Sequence, residues 1–212
     1  MKRMIVVVGV PRSGTSLCCQ ALERLGVSFG GPLIEGDSAN PWGYYEHREL
    51  MEQATLFVMR RCGDPVWFKP EPLFANSYAT AEPLLDALKA ELANHALFGW
   101  KTPLAGRLDA AGEQKIFTWI CNDAGAEPVF VHALRDPDAV FTSTILANGG
   151  SQKLAYKDFL LTWARMVTEC RDLCPVHELW YEDWREDPQK TLDKLADALQ
   201  LPHANASGLL KE

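Results

Sequence analysis

Near the start of this 212-residue chain stands the stretch Ile5-Val6-Val7-Val8-Gly9-Val10-Pro11-Arg12-Ser13-Gly14-Thr15-Ser16. Its β-branched run predicts a buried strand, and a helix-compatible segment, 17–25, follows the turn between Gly9 and Gly14. A strand, a glycine-rich turn and a helix N-terminus bring backbone N–H groups to one point, where the helix dipole adds partial positive charge. The stretch therefore predicts an anion-binding site at the start of an α/β fold.

The turn fits only the first half of the P-loop pattern, which is Gly-x4-Gly followed by Lys and then Ser or Thr. Thr15 occupies the position where a nucleoside triphosphate loop has its Lys, and the cation stands earlier, at Arg12. The pocket still suits a phosphate but lacks the residue that grips a polyphosphate tail. The glycine spacing alone is a weak signal, because ordinary strand-turn-helix units also contain it.

Composition predicts one globular domain over residues 1–212. The chain is 47% hydrophobic and has a net charge of −7, which argues against nucleic acid or an anionic membrane surface as the main partner. The apolar run 5–10 is too short for a signal peptide, and we expect no membrane span. The six cysteines show no zinc-ligand spacing, so we expect reduced, mostly buried thiols in a cytoplasmic protein.

Three further strands are predicted, each followed by a polar residue with possible function. Residues 96–100 end at Lys101, residues 128–134 end at Arg135, and residues 176–184 form a last strand and turn that contain Tyr181. Ligands of α/β sheets bind at such carboxyl ends of strands. Each residue also has a plain structural interpretation: a solvated Lys, an Arg paired to a helix cap, and a core Tyr.

A long irregular segment, 26–43, leads to Tyr44-Tyr45-Glu46-His47, which predicts the opening of a helix running to about Arg61. We select Glu46 as the candidate general base, with His47 and Glu35 as alternatives. Glu46 could equally be a helix N-terminal carboxylate favoured by the helix dipole. The irregular, aromatic stretch 62–80 is either an acceptor-binding lid or a loop packed by its own rings.

Several of these motifs resemble those of the sulfotransferases that use 3′-phosphoadenosine 5′-phosphosulfate (PAPS). Pro11-Arg12-Ser13-Gly14-Thr15-Ser16 resembles the family's 5′-phosphosulfate loop, in the Arg form of its tyrosylprotein and bacterial branches. Arg135 and Ser143, eight residues apart after a strand, resemble its 3′-phosphate motif. Gly99-x-Lys101-x-Pro103 resembles the element whose Lys faces the sulfuryl group, although Thr102 replaces the usual Asp.

The resemblance implies an α/β fold of three layers with a mainly parallel central sheet. It also implies a sulfotransferase that moves a sulfuryl group from PAPS to a hydroxyl or amine of an unidentified acceptor, without a metal. The implied catalytic residues are Arg12, Glu46 and Lys101, and the implied nucleotide-binding residues are Pro11, Arg12, Ser13, Gly14, Thr15, Ser16, Arg135, Ser143 and Tyr181, with Tyr181 on the adenine.

The sequence leaves two other functions open. One is a P-loop kinase that uses Mg-ATP on a small molecule, against which the missing Lys after Gly14 counts. The other is a non-catalytic nucleotide-binding protein. The chain also departs from the cytosolic sulfotransferase branch, because it carries no Arg-Lys-Gly loop to close over the 3′-phosphate.

Overall fold

The computed structural model describes residues 1–37, 40, 43–54, 82–102, 120–147, 155–171 and 176–210. Ten elements have defined bounds in these ranges. In chain order they are β1 (Lys2–Val8), α1 (Thr15–Arg24), α2 (Glu82–Asn94), β2 (Phe98–Lys101), β3 (Ala126–Leu134), α3 (Pro137–Ala147), α4 (Tyr156–Arg171), β4 (Val176–Trp180), α5 (Tyr181–Glu186) and α6 (Pro188–Leu199). Residues 48–54 and 120–123 are also helical.

The four strands form one parallel sheet in the order β2-β1-β3-β4. Val6 is the Cα partner of Trp100 on one side and of Phe130 on the other, so β1 lies in the interior of the sheet. Because all strands are parallel, their carboxyl ends meet along one edge.

Helices cover both faces of this sheet. The even-numbered residues of β1, such as Val6, pack with α2, α4 and the helical residues 48–54, and the odd-numbered ones pack with α1, α5 and α6. Residues 4–8 are all fully buried, as expected for a parallel strand covered on both sides. The predicted three-layer α/β fold with a parallel central sheet is therefore confirmed.

The segment before the helix at 48–54 differs from the prediction. Residues 44–47 are not helical, and the helix begins at Arg48. Tyr45 has a φ of +60°, which is incompatible with a right-handed helix, and Ile34 N–H donates to the Glu46 carbonyl at 2.8 Å. Glu46 is thus held in a short antiparallel pairing rather than in a helical first turn.

The aromatic stretch 62–80, predicted as either a lid or a loop packed by its own rings, lies outside the described residues, as do Cys62 and Cys174. The four described cysteines are buried, as predicted. Burial raises the pKa of the Cys18 and Cys121 thiols to about 12, which keeps them protonated and unreactive at neutral pH. None of the described helices combines the length and apolar character that crossing a membrane requires.

A buried histidine makes the stability of this fold depend on pH. His132 of β3 is fully buried, and its Nδ1 lies 4.0 Å from Glu178 Oε1. Burial lowers the His132 pKa from 6.5 to about 4, opposed in part by Glu178, which Arg171 in turn neutralises. The unfolded chain therefore takes up this proton first as the pH falls.

We expect the free energy of unfolding to fall between about pH 6.5 and about pH 4, by up to about 1.4 kcal/mol per pH unit from this residue, and to be insensitive to it above that window. Urea unfolding at closely spaced pH values measures the slope. His132→Met removes the titrating group at similar volume and should flatten this part of the curve. An equal slope in the variant would show that other groups carry the pH dependence.

Candidate functional site

All four strands deliver a candidate residue to the same edge of the sheet. The Gly9–Gly14 loop follows β1, Lys101 ends β2, Arg135 follows β3 and Tyr181 follows β4. From β1 the chain continues to β2 on one side of the sheet, and from β3 it continues to β4 on the other side. In open α/β sheets, ligands bind at the point between two such strands.

The loop after β1 depends on its two glycines. A Cβ on Gly9 would lie 2.6 Å from the Ala133 carbonyl oxygen, and Gly14 has a φ of +94°. Arg12 also has a positive φ, +71°, an uncommon conformation for a residue with a side chain. The Ser13 amide donates to the Val10 carbonyl at 3.1 Å, which closes the loop on itself.

Beyond Ser13, the loop and the first turn of α1 present open backbone donors. Among the described residues, the first N–H of this helix that donates to a carbonyl is that of Cys18, to Gly14 at 3.0 Å. The preceding amides point out of the helix N-terminus, where an anion is favoured. The Ser13 amide is used within the loop, so the backbone donors open to a ligand begin at Gly14.

Ser16 adds an oriented hydroxyl to these donors. Its Oγ accepts from Lys101 Nζ at 3.2 Å and from Asn40 Nδ2 at 3.2 Å. A serine hydroxyl has two acceptor positions and one proton, so the proton is left to donate outward. Asn40 was not selected from the sequence as a site residue, although it stands in the Asn-Pro-x-Gly-Tyr-x-Glu segment that leads to Glu46.

A second cationic centre joins the loop to α3. Arg12 Nε donates to Ser143 Oγ at 3.0 Å, and Arg135 Nη1 donates to the Arg12 carbonyl at 3.2 Å. Arg135 Nε is buried and has no hydrogen-bond partner among the described residues. Asp136 caps α3 by accepting from the Ala139 amide at 3.0 Å.

This centre borders an open cleft. Its volume is about 450 Å³, and the lining residues are Arg135, Asp138, Ala139, Thr142, Ser143 and Leu146. A buried Arg N–H without a partner is costly unless something else satisfies it, and an anion in this cleft could do so.

Tyr181 packs between the two anion-binding elements. The prediction had extended the last strand and its turn over 176–184, but Tyr181 is the first residue of α5, whose first turn has the acidic residues that favour a helix N-terminus. The Arg135 guanidinium carbon lies 4.4 Å from the centroid of its ring, a cation–π contact. A Cβ on Gly14 would lie 2.8 Å from Tyr181 Cδ2. The Tyr181 ring therefore packs between Arg135 and Gly14 of the loop.

We expect Gly14→Ala to weaken nucleotide binding at least tenfold, because the new methyl group displaces Tyr181 and with it Arg135. The left-handed backbone should also cost about 1–2 kcal/mol of stability. Gly26→Ala is the matched control, since Gly26 has a φ of +91° but no atom within 4 Å of a built Cβ. Calorimetric titration and urea unfolding of both variants separate the two effects. Equal nucleotide affinity in the two variants would contradict the role given to Tyr181.

The structure brings Lys101 and Glu46 together beside Ser16. Lys101 Nζ lies 3.0 Å from Glu46 Oε1 and also donates to the Tyr44 carbonyl. Both side chains are largely removed from solvent, at 8% and 15% exposure. Glu46 Oε2 is buried and has no partner in the described part of the chain. An ammonium group and a carboxylate, one of whose oxygens has no hydrogen-bond partner among the described residues, thus lie next to the candidate anion-binding loop.

The two alternatives to Glu46 lie elsewhere. Glu35 is exposed. His47 is buried, and its Nδ1 accepts from the Leu50 amide at 3.3 Å while its Nε2 lies 3.1 Å from Glu91 Oε1. In this arrangement Nε2 carries the ring proton, and the lone pair of Nδ1 accepts the Leu50 amide. His47 therefore has no nitrogen left to take a proton from an acceptor.

These features define an α/β protein with a P-loop-like strand-loop-helix unit and a candidate anion-binding site at the carboxyl edge of its sheet. No model of a known protein family matches the chain, and no curated protein matches its sequence.

The solved structures that match this chain include the two that follow. Mouse sulfotransferase SULT7A1, complexed with PAP, is 13% identical with a TM-score of 0.50, covering 97% of this chain and 61% of the mouse chain. The YorR protein of Bacillus subtilis, in complex with phosphorylated GDP, is 12% identical with a TM-score of 0.46, covering 93% of this chain and 95% of that one. The chain thus spans about 61% of the length of the mouse enzyme, and at 13% identity the similarity shows the fold alone.

Proposed function

We propose that this protein transfers a sulfuryl group from PAPS to a hydroxyl or amine acceptor and releases adenosine 3′,5′-bisphosphate (PAP). The observation that carries the proposal is the convergence of two anion sites and one cation–carboxylate pair on a single edge of the sheet. The fold shared with a sulfotransferase that was solved with PAP supports it.

The presence of two groups of hydrogen-bond donors favours a nucleotide with phosphate at both the 5′ and the 3′ position of its ribose. The open amides from Gly14 onward and the Ser16 hydroxyl suit a 5′-phosphate. Arg135 and Ser143 form a separate centre beside the cleft, which suits a 3′-phosphate, because a guanidinium binds phosphate with paired hydrogen bonds. Arg12 bonds to Ser143 and belongs to the loop, so it links the two centres.

The proposed reaction follows from the positions of Glu46, Lys101 and Arg12. The acceptor oxygen forms a bond to sulfur while the bond between sulfur and the 5′-phosphate oxygen breaks, and the electron pair of that bond stays on the phosphate of PAP. The acceptor proton passes to the Glu46 carboxylate. Lys101 stabilises the sulfuryl oxygens and Arg12 the leaving phosphate oxygen, so catalysis is mainly positioning and electrostatic stabilisation.

Glu46 is a better base than His47 in this geometry. Its Oε2 has no hydrogen-bond partner among the described residues, and its other oxygen lies beside Lys101, which contacts Ser16 of the loop. The basic nitrogen of His47 is instead occupied by the Leu50 amide.

An assay of PAP release from PAPS over a panel of phenol, alcohol, sugar and amine acceptors, with and without a chelator, tests the proposal. We expect chelator-insensitive release that requires an acceptor. Transfer of phosphate from Mg-ATP instead would identify a kinase. Tight PAP binding without turnover on any acceptor would identify a non-catalytic nucleotide-binding protein.

A further inference from the structure

Lys101 is already saturated by oxygen atoms of the protein. Its ammonium group lies against Ser16 Oγ, the Tyr44 carbonyl oxygen and Glu46 Oε1. An ammonium has three N–H donors, and Lys101 is only 7% exposed, so little solvent competes for them. Any further anion that Lys101 binds must displace one of these neighbours.

Glu46 is the neighbour that a sulfuryl group would displace. The Tyr44 oxygen belongs to the backbone and is neutral, and Ser16 is neutral as well. Only Glu46 is an anion, and two anions beside one largely buried ammonium repel each other. An anionic sulfuryl oxygen thus takes the place of the anionic Glu46 carboxylate beside the Lys101 ammonium.

The Glu46 carboxylate has little freedom to follow Lys101. The residues on each side of it are anchored to different helices: Tyr45 Oη donates to Glu23 of α1 at 2.8 Å, and His47 pairs with Glu91 of α2. The Glu46 carbonyl is itself held by the Ile34 amide. Exchange of partners therefore occurs at Lys101 and leaves the carboxylate in place.

We propose that Glu46 and the donor sulfuryl group compete for Lys101, so that donor binding releases the base. This inference rests on the proposed sulfotransferase function. Without donor, Glu46 Oε1 is neutralised by Lys101. With PAPS bound, Lys101 turns to the sulfuryl oxygens, and both Glu46 oxygens become available to the acceptor hydroxyl. PAP, which lacks the sulfuryl group, leaves the ion pair intact.

The test compares the dissociation constants of PAPS and PAP, because only PAPS has to break the Lys101–Glu46 ion pair when it binds. Glu46→Gln removes the competing charge but keeps an oxygen for Lys101. We expect PAPS to tighten relative to PAP by about tenfold in this variant, with PAP affinity unchanged. Glu49→Gln is the control, since it makes the same charge change three residues on at an exposed position and should leave the ratio as in the natural protein.

A double variant connects the effect to Lys101. In Lys101→Gln, the further change Glu46→Gln should no longer alter the PAPS-to-PAP ratio, since no ammonium remains to compete for. A ratio unchanged by Glu46→Gln in the natural background, or a selective weakening of PAPS, overturns the inference while leaving the proposed function standing. A natural protein that binds neither nucleotide overturns both.

Discussion

Glu46→Gln should lower acceptor-dependent PAP release by about 10²–10⁴-fold, the contribution expected of a general base. The substitution keeps the size of the side chain and removes its ability to take a proton. Because Lys101 and Ser16 remain in place, PAP should bind as tightly as to the natural protein. Single-turnover measurements with saturating PAPS isolate the transfer step from nucleotide binding.

The control for this loss is Glu49→Gln, which should retain full turnover. A Glu46→Gln enzyme with near-normal turnover and intact PAP binding would exclude Glu46 as the base. The same experiment with His47→Gln should lower turnover only as far as it disturbs the Glu91 contact, since His47 has no open basic nitrogen.

Arg135→Ala should weaken PAP binding by about 1.5–3 kcal/mol, the range for hydrogen bonds to a charged group. The loss should be confined to nucleotides that carry a 3′-phosphate, so 5′-AMP should bind as before. Calorimetric titration with both nucleotides gives the difference directly. Arg135→Lys should recover part of the loss, because it keeps the charge without the paired geometry of the guanidinium.

Arg185→Ala removes an exposed cation from the same helix as Tyr181 and is the matched control. It should leave both affinities unchanged. Arg135 also bonds to the Arg12 carbonyl, so a general disturbance of the loop would weaken 5′-AMP as well. Equal losses for PAP and 5′-AMP would therefore show that Arg135 supports the loop rather than binding the 3′-phosphate.

The layered fold was predictable because local patterns and tertiary burial agree. The apolar run of β1 is buried on both faces, and Leu84, Leu85, Leu88 and Leu92, which recur at helical spacing in the sequence, form the buried stripe of α2. The strand before Arg135 and the cap at Asp136 also follow from short stretches of sequence. These features depend on residues that are close together in the chain, so the sequence alone predicts them.

Contacts between distant segments were not predictable in the same way. The Lys101–Glu46 pair joins residues 55 positions apart in the chain. The contact of Tyr181 with Gly14 and Arg135 requires the strand order. The error at Tyr44–His47 has a local cause, because the positive φ of Tyr45 is maintained by pairing with the 32–34 segment, and nothing in a tyrosine signals that conformation.

The central claim is that this site binds a 3′-phosphorylated nucleotide without a metal, and thermal unfolding tests it most directly. The protein is heated with PAP, with 5′-AMP and with ATP plus magnesium, each with and without a chelator. A ligand that binds only the folded state at a hundredfold excess over its dissociation constant stabilises it by about 2.7 kcal/mol. We predict a chelator-insensitive rise in Tm with PAP that exceeds the rise with 5′-AMP. A rise with magnesium and ATP alone would contradict the account.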